Sequence, residues 1–184
     1  MKLLYILMIL PFLSCSAQKK LQIETILTQP ARVTSQDPET GRVINRSTNI
    51  PKTKRTEPAI IMQMQYEDKL TFLIQGNISS GGHTINKVKK IRFEKGKQNG
   101  NTITLKYFVE IKRIPGKESA NVGGYNYTKE ETYIIPEDVK VIHVELYHER
   151  LDRSYDQYLK DKENPKLVVQ QTFDIKNTIV KNEN

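Results

Sequence analysis

The sequence predicts an all-β protein: an antiparallel, immunoglobulin-like β-sandwich of seven or eight strands with one short crossover helix. From residue 59 onwards, apolar residues recur at every second position, which is the period of a half-buried strand. Turn signals separate these runs at short spacing, as is typical of β-sandwiches. Helical spacing interrupts the pattern in a single segment, which begins at Leu151. The 184 residues fit one domain, since domains usually have ~100–200 residues.

Alternating runs define the strand candidates in chain order. Their apolar positions are Ile60, Met62, Met64 and Tyr66; Leu70, Phe72 and Ile74; Ile91 and Phe93; Ile103, Leu105, Tyr107, Val109 and Ile111; Tyr125, Tyr127, Tyr133 and Ile135; Ile142, Val144 and Leu146; and Leu167, Val169, Phe173 and Ile175. Residues 67–69 connect the first two runs tightly, so we predict a hairpin there. Asn99-Gly100 predicts a second hairpin between the third and fourth runs.

The helix prediction depends on four apolar or aromatic residues that share one helical face. They stand at positions i, i+4, i+7 and i+8, and they are Leu151, Tyr155, Tyr158 and Leu159. Asn164-Pro165 is expected to end the helix, because proline cannot continue it. We expect this helix to cross one end of the sandwich and cover it.

The first 17 residues predict a signal peptide. Met1-Lys2 is positive, residues 3–13 form an apolar run of eleven, and small residues follow. Such a run is too short to span a bilayer. One interpretation is cleavage by an ordinary signal peptidase before Gln18. The other begins from Phe12-Leu13-Ser14-Cys15, which resembles the lipobox of bacterial lipoprotein precursors. The resemblance implies lipidation of Cys15 and a membrane anchor.

The prediction of an exported protein sets the expected location and the domain plan. We expect a lipoprotein facing the outer membrane or periplasm, or alternatively a soluble secreted protein. The single cysteine excludes a disulfide within the chain. Residues 18–57 are predicted as a tether, a first strand around Ile23 and an extended loop over 29–57, with a short edge strand at 42–45. The sandwich domain follows over 58–176, and a flexible tail over 177–184.

Strand direction predicts where a partner would bind. If consecutive strands are antiparallel, the short connections at 67–69, 96–101 and 136–139 share one end of the sandwich. The longer connections at 79–86, 114–124 and 149–165 share the other. Binding residues tend to lie on loops that a rigid scaffold holds. The candidate binding residues at the long-loop end are therefore His83, Lys117, Asn121, Tyr125 and Tyr155.

The formal net charge of +8 is unevenly distributed. Residues 87–117 contain 10 basic and 2 acidic side chains, whereas residues 118–184 contain 9 basic and 13 acidic ones. A basic sheet face with Phe108 on it is predicted from four cations: Lys90, Arg92, Lys106 and Lys112. Such a face attracts polyanions. The export signal argues against nucleic acid and favours an anionic polysaccharide or lipid surface. Alternatively, the acidic C-terminal third docks on the basic face, in the same molecule or a neighbour.

Catalytic patterns are weak in this chain. His143 and His148 are five residues apart on one strand, so they point to opposite faces. We predict no catalytic residues, no metal and no cofactor. The expected function is a non-catalytic binding or structural module of the bacterial envelope, whose partner is an envelope protein or an anionic surface. The alternative is a small secreted hydrolase or metal-dependent enzyme that uses His143 and Glu145, with His83 approaching from a loop.

Overall fold

The structure, a computed structural model, describes residues 20–80, 84–115, 121–151 and 163–176, and these residues form an all-β protein. The nine strands are β1 (Gln22–Gln36), β2 (Val43–Pro51), β3 (Ala59–Tyr66), β4 (Lys69–Ser79), β5 (Thr84–Lys95), β6 (Thr102–Pro115), β7 (Val122–Ile134), β8 (Val141–Arg150) and β9 (Lys166–Asp174). Most of the predicted helix, the N-terminal 19 residues and the predicted tail lie outside the described residues. Within the described ranges, no helix has the length and apolar character needed to cross a membrane.

The strands form two sheets that pack face to face, an arrangement that fits a β-sandwich. The first sheet has the order β2-β1-β7-β4-β3 and is antiparallel. The second has the order β5-β6-β8-β9 and is mixed, because β6 and β8 are parallel. The prediction of purely antiparallel sheets was therefore wrong at one pair. A parallel pair requires a crossover connection, and β7 provides it by lying in the opposite sheet.

The core lies between the sheets and is built from the alternate residues that the sequence pattern identified. Phe72 of β4 contacts Tyr107 of β6 edge to face, with 5.8 Å between ring centroids, and Phe173 of β9 at 6.0 Å. Side chains from both sheets thus interlock rather than lie in separate layers. Two inward positions on β7 are unexpectedly polar. Lys129 and Glu131 form an ion pair with only 9% of each side chain exposed.

From β3 to β9 strand direction alternates along the chain as predicted, so the connections of these strands sort into two ends. The strands β2 and β3 run in the same direction, because the segment between them crosses the sheet. At one end, the backbone N–H of Ile135 donates to Asp68 in the β3–β4 turn. The hairpin signal at Asn99-Gly100 is confirmed there, with Gly100 in the left-handed region at φ 59°. At the opposite end, Leu151 N–H donates to the carbonyl of Ile111 at 3.0 Å. The longer connections leave from this opposite end.

Residues 28–51 form a two-stranded ribbon, which corrects the predicted extended loop over 29–57. The second half of β1 pairs with β2 from Thr28↔Pro51 to Gln36↔Val43, and most of its residues are exposed. The proline in β1 is tolerated for a geometric reason. Thr28 N–H points away from β2 to the carbonyl of Asn121. Pro30, two residues on, has the same orientation, so β2 loses no hydrogen bond to it.

The connection from β2 to β3 crosses the outward face of the first sheet, over residues 52–58. Asn126 of β7 fixes it there, since its Oδ1 accepts from Thr56 N–H at 2.9 Å and its Nδ2 donates to the carbonyl of Lys54 at 2.9 Å. Asn77 of β4 donates to the carbonyl of Thr56 at 2.8 Å. Asn126 is only 4% exposed beneath this segment. The crossing connects the two edges of the sheet and covers its centre.

Candidate binding site at one end of the sandwich

A cavity of about 300 Å³ lies between the two sheets at the end with the longer connections. It is bounded by the end of β4, the start of β5, β6, the end of β8 and the start of β9. Its lining residues are Asn77, Ile78, Ser79, Asn86, Ile111, His148, Arg150, Glu163, Asn164 and Lys166. The volume is at the lower end of the range for small-molecule sites, which runs from ~300 to 1,000 Å³. The sandwich therefore has a site of ligand size at the predicted end.

His148 lines this cavity and faces inward from β8. Its Nε2 is 2.8 Å from the phenolic oxygen of Tyr127, a fully buried residue of β7. This bond therefore joins the two sheets. Burial, together with the positive charges of Arg150 and Lys166, lowers the pKa of His148 to about 4. The imidazole is consequently neutral at pH 7. Burial also raises the pKa of Tyr127, so its phenol remains protonated.

The charged groups of the cavity act on two different sides of β8. Arg150 and Lys166 lower the pKa of His148, which points inward, so their charges lie near the cavity. The charge of Glu163 contributes instead to the pKa of Tyr147, which burial and Glu145 raise to about 12. Tyr147 points to the outward face of the second sheet. With two cations, Arg150 and Lys166, and one carboxylate, Glu163, the lining of the cavity has a positive formal charge.

The position of Arg150 is fixed by an asparagine on the next segment. Asn164 Oδ1 accepts from the backbone N–H of Arg150 at 2.8 Å, and its Nδ2 donates to the carbonyl of the same residue at 3.1 Å. Both polar ends of one amide thus hold the end of β8 to the start of β9. Asn86 makes a similar connection on the other wall, where its Nδ2 donates to the carbonyl of Ser79 at 2.8 Å. Side-chain amides therefore hold β8 to the segment before β9 and β4 to β5, at the two walls of the cavity.

The predicted binding residues are placed only in part. Asn121 is exposed at the long-loop end, beside the start of the ribbon. Tyr125 is half-buried on β7 and packs against the core. Three further candidates, His83, Lys117 and Tyr155, lie outside the described residues, as does the lipidation candidate Cys15.

The predicted basic face is not uniformly basic, because acidic residues of β6 and β8 lie among its cations. Lys90 pairs with Glu110 at 3.4 Å and Lys106 with Glu145 at 3.6 Å. Arg92 donates to Glu149 at 2.9 Å. Two residues of the acidic third, Glu145 and Glu149, therefore pair with the basic strands within the same molecule, in the manner of the alternative interpretation.

Aromatic rings complete this outward face of the second sheet. Phe108 stacks on Tyr147, with ring centroids 5.0 Å apart, and the Arg92 guanidinium lies 4.2 Å above Phe108. Lys112 is exposed next to Lys87 in the β5–β6 register. A polyanion would therefore have to compete with carboxylates for three of the four predicted cations.

The residues suggested for catalysis lie on this outward face rather than in the cavity. His143 Nδ1 is 2.8 Å from the hydroxyl of Thr172, and Glu145 accepts a hydrogen bond from Tyr147 at 2.7 Å. His143 and His148 do point to opposite sides of β8, as predicted. Among the described residues, no group of three or more histidine, cysteine, aspartate or glutamate side chains could hold a metal ion.

Comparisons with protein families, with curated proteins and with solved structures found no match. Interpretation of the site therefore depends on its residues alone. Sequence reasoning did not identify Arg150 and Lys166 as residues of the cavity, since both fall in the acidic third of the chain. The inward position of His148 was the available signal, since its strand neighbours Val144 and Leu146 alternate with it into the core.

Proposed function

We propose that this protein is a non-catalytic, exported binding module of the bacterial envelope, anchored to a membrane through a lipid on Cys15. In this proposal the long-loop end of the sandwich meets the partner. The support comes from one observation: the cavity, the longer connections and the base of the ribbon all lie at this end. A rigid two-sheet scaffold with its variable segments at one end is the usual arrangement of a binding domain.

The proposed type of sandwich is immunoglobulin-like, with the crossover helix near the cavity. The chain changes sheet between β4 and β5, between β6 and β7, and again between β7 and β8. Repeated changes of sheet of this kind support the immunoglobulin-like assignment, since such domains connect their two sheets through Greek-key crossings. The helix is tested by circular dichroism of a peptide that covers residues 151–164. If the segment is helical, we expect its spectrum in a helix-supporting solvent to show the minima of an α-helix.

The anchor is tested separately from the binding function. We expect metabolic labelling with a fatty acid to mark the wild-type chain and the membrane fraction to contain it. The Cys15→Ser variant is expected to lose both the label and the membrane association. Equal membrane association of the two chains, or a mature N-terminus at Gln18, would refute the lipid anchor and support a secreted protein.

The binding end is tested by photo-crosslinking in intact cells. A photoreactive amino acid replaces Asn121 at the long-loop end, and in a matched variant it replaces Glu137 at the opposite end. Both positions are exposed. We expect a discrete crosslinked product from position 121 and none from position 137. Products from position 137 alone, or equal products from both positions, would contradict the proposed orientation.

A further inference from the structure

The cavity between the sheets has the chemistry of a site for a small organic anion. Two cationic side chains, Arg150 and Lys166, lie on its wall near the neutral His148. Among the residues that the structure describes, neither cation forms an ion pair with a carboxylate, in contrast to Lys90, Arg92 and Lys106 on the outward face. Cations that line a concave space and lack an acidic partner are the groups that recognise anionic ligands.

The lining contains one carboxylate, Glu163, against the two cations Arg150 and Lys166, so its formal charge is positive. Ile78 and Ile111 supply an apolar part of the wall, and Asn86 and Asn164 supply side-chain amides. Two of the ten lining residues are apolar, so the cavity combines an apolar part with convergent polar groups, and such a combination is typical of small-molecule recognition. This wall suits an organic acid, because an inorganic anion has no apolar surface that could pack against the two isoleucines.

The volume limits the size of the ligand. About 300 Å³ equals the share of roughly ten water molecules in the liquid. A ligand of roughly ten to fifteen non-hydrogen atoms fits, which is one acidic sugar or one acylated amino acid. At ~0.3 kcal/mol per non-hydrogen atom for such ligands, the dissociation constant is on the order of 1 mM. Tighter binding would require an extended ligand that also contacts the loops.

We infer that this cavity binds a ligand that carries a single carboxylate on a compact organic body, and that Arg150 and Lys166 contact the carboxylate. The inference rests on the proposed binding function, since it assigns a ligand class to the same end of the sandwich. Arg150 has the primary role, because a guanidinium can donate two parallel hydrogen bonds to one carboxylate. Asn164 holds its backbone in place at the strand end.

Titration followed by ¹H–¹⁵N NMR of the full mature chain tests this inference with two matched pairs of probes. D-glucuronate is compared with D-glucose, and N-acetylalanine with N-acetylalanine amide. We expect the acid of at least one pair to shift the signals of Asn86 and His148 with at least tenfold tighter binding than its neutral partner. The pair that binds more tightly identifies the source of the carboxylate as a sugar or a peptide end.

Variants separate the cavity from the rest of the surface. Arg150→Gln and Lys166→Gln are each expected to weaken binding of the acid at least tenfold, and Arg150→Lys to restore part of it. Lys106→Gln, on the outward face, is the control and is expected to leave binding unchanged. A dispersed spectrum of each variant shows that it is folded, and Lys166→Gln alone suffices if Arg150→Gln unfolds.

Three results would overturn the inference: equal binding of acid and neutral probes, no cavity shifts at tens of millimolar, or inorganic phosphate binding as tightly as the acids. These results are distinguishable from failure of the binding module itself. A crosslinked partner at position 121 without carboxylate binding would refute the ligand inference but support the binding module. Carboxylate binding without a crosslink would support the ligand inference but contradict the proposed partner at this end.

Discussion

Gly76→Ala is expected to destabilise the protein through one contact at the centre of the sandwich. A Cβ atom at position 76 would lie 2.4 Å from the phenolic oxygen of Tyr127 and 2.7 Å from its Cζ. Ordinary contacts of this kind are near 3.4 Å, so the ring would have to move by about 1 Å in a close-packed core. Tyr127 is fully buried and bonded to His148 across the sheets. Overpacking costs about 1–3 kcal/mol, and loss of the Tyr127–His148 bond adds about 1 kcal/mol.

The assay is urea unfolding at pH 7, with the midpoint and slope measured for four chains. These are the wild type, Gly76→Ala, Tyr127→Leu and the double variant. We expect Gly76→Ala to lower the free energy of unfolding by about 2–4 kcal/mol in the wild type. With Leu at position 127 the ring is absent, so the same change should be neutral or slightly stabilising, since alanine reduces the entropy of the unfolded chain. An equal loss in both backgrounds would refute the reasoning.

Three further predictions follow from buried polar groups. Lys129→Met leaves the charge of Glu131 in the core and should cost about 3–5 kcal/mol in urea unfolding, whereas Lys129→Met with Glu131→Leu should recover most of that loss or exceed wild-type stability. Asn126→Asp places a charged acceptor against the carbonyl of Lys54 and should cost about 2–3 kcal/mol, with Asn126→Ala as the uncharged comparison. Because the folded pKa of His148 is about 4 and its ordinary value is 6.5, the stability it contributes is full above pH 6.5 and falls as the pH drops towards 4, by on the order of 3 kcal/mol. His148→Gln should lose this pH dependence, and an unchanged pH profile in that variant would contradict the assignment.

The strand positions could be predicted because the period of two extends through most of the domain. Leu70, Phe72 and Ile74 alternate into the core, and Asn99-Gly100 marks its turn by composition alone. The ribbon over 28–51 could not be predicted in the same way. Its strands are paired only with each other over most of their length and are exposed, so no buried face imposes an alternation of apolar and polar residues on them.

The end of the sandwich where the cavity lies could be predicted from strand direction, which depends only on the order of strands and turns. The composition of the cavity could not be predicted in this way. The residues of the cavity depend on which strands are neighbours, and sequence patterns do not report neighbours. Ile78 and Lys166 lie 88 positions apart in the chain and meet at the cavity only because β4 and β9 belong to facing sheets.

The distribution of charge along the sequence and its distribution in the folded structure point to different candidate binding sites. The basic stretch over 87–117 predicts a polyanion surface, yet the parallel pairing of β6 with β8 places Glu145 and Glu149 beside its cations. The same pairing carries Arg150, the residue directly after Glu149, to the cavity. Both cations of the cavity lining, Arg150 and Lys166, therefore come from the most acidic third of the sequence. Their place in the lining follows from where β8 ends and β9 begins, and a change that shifts the β8–β9 register should alter ligand binding without altering the net charge.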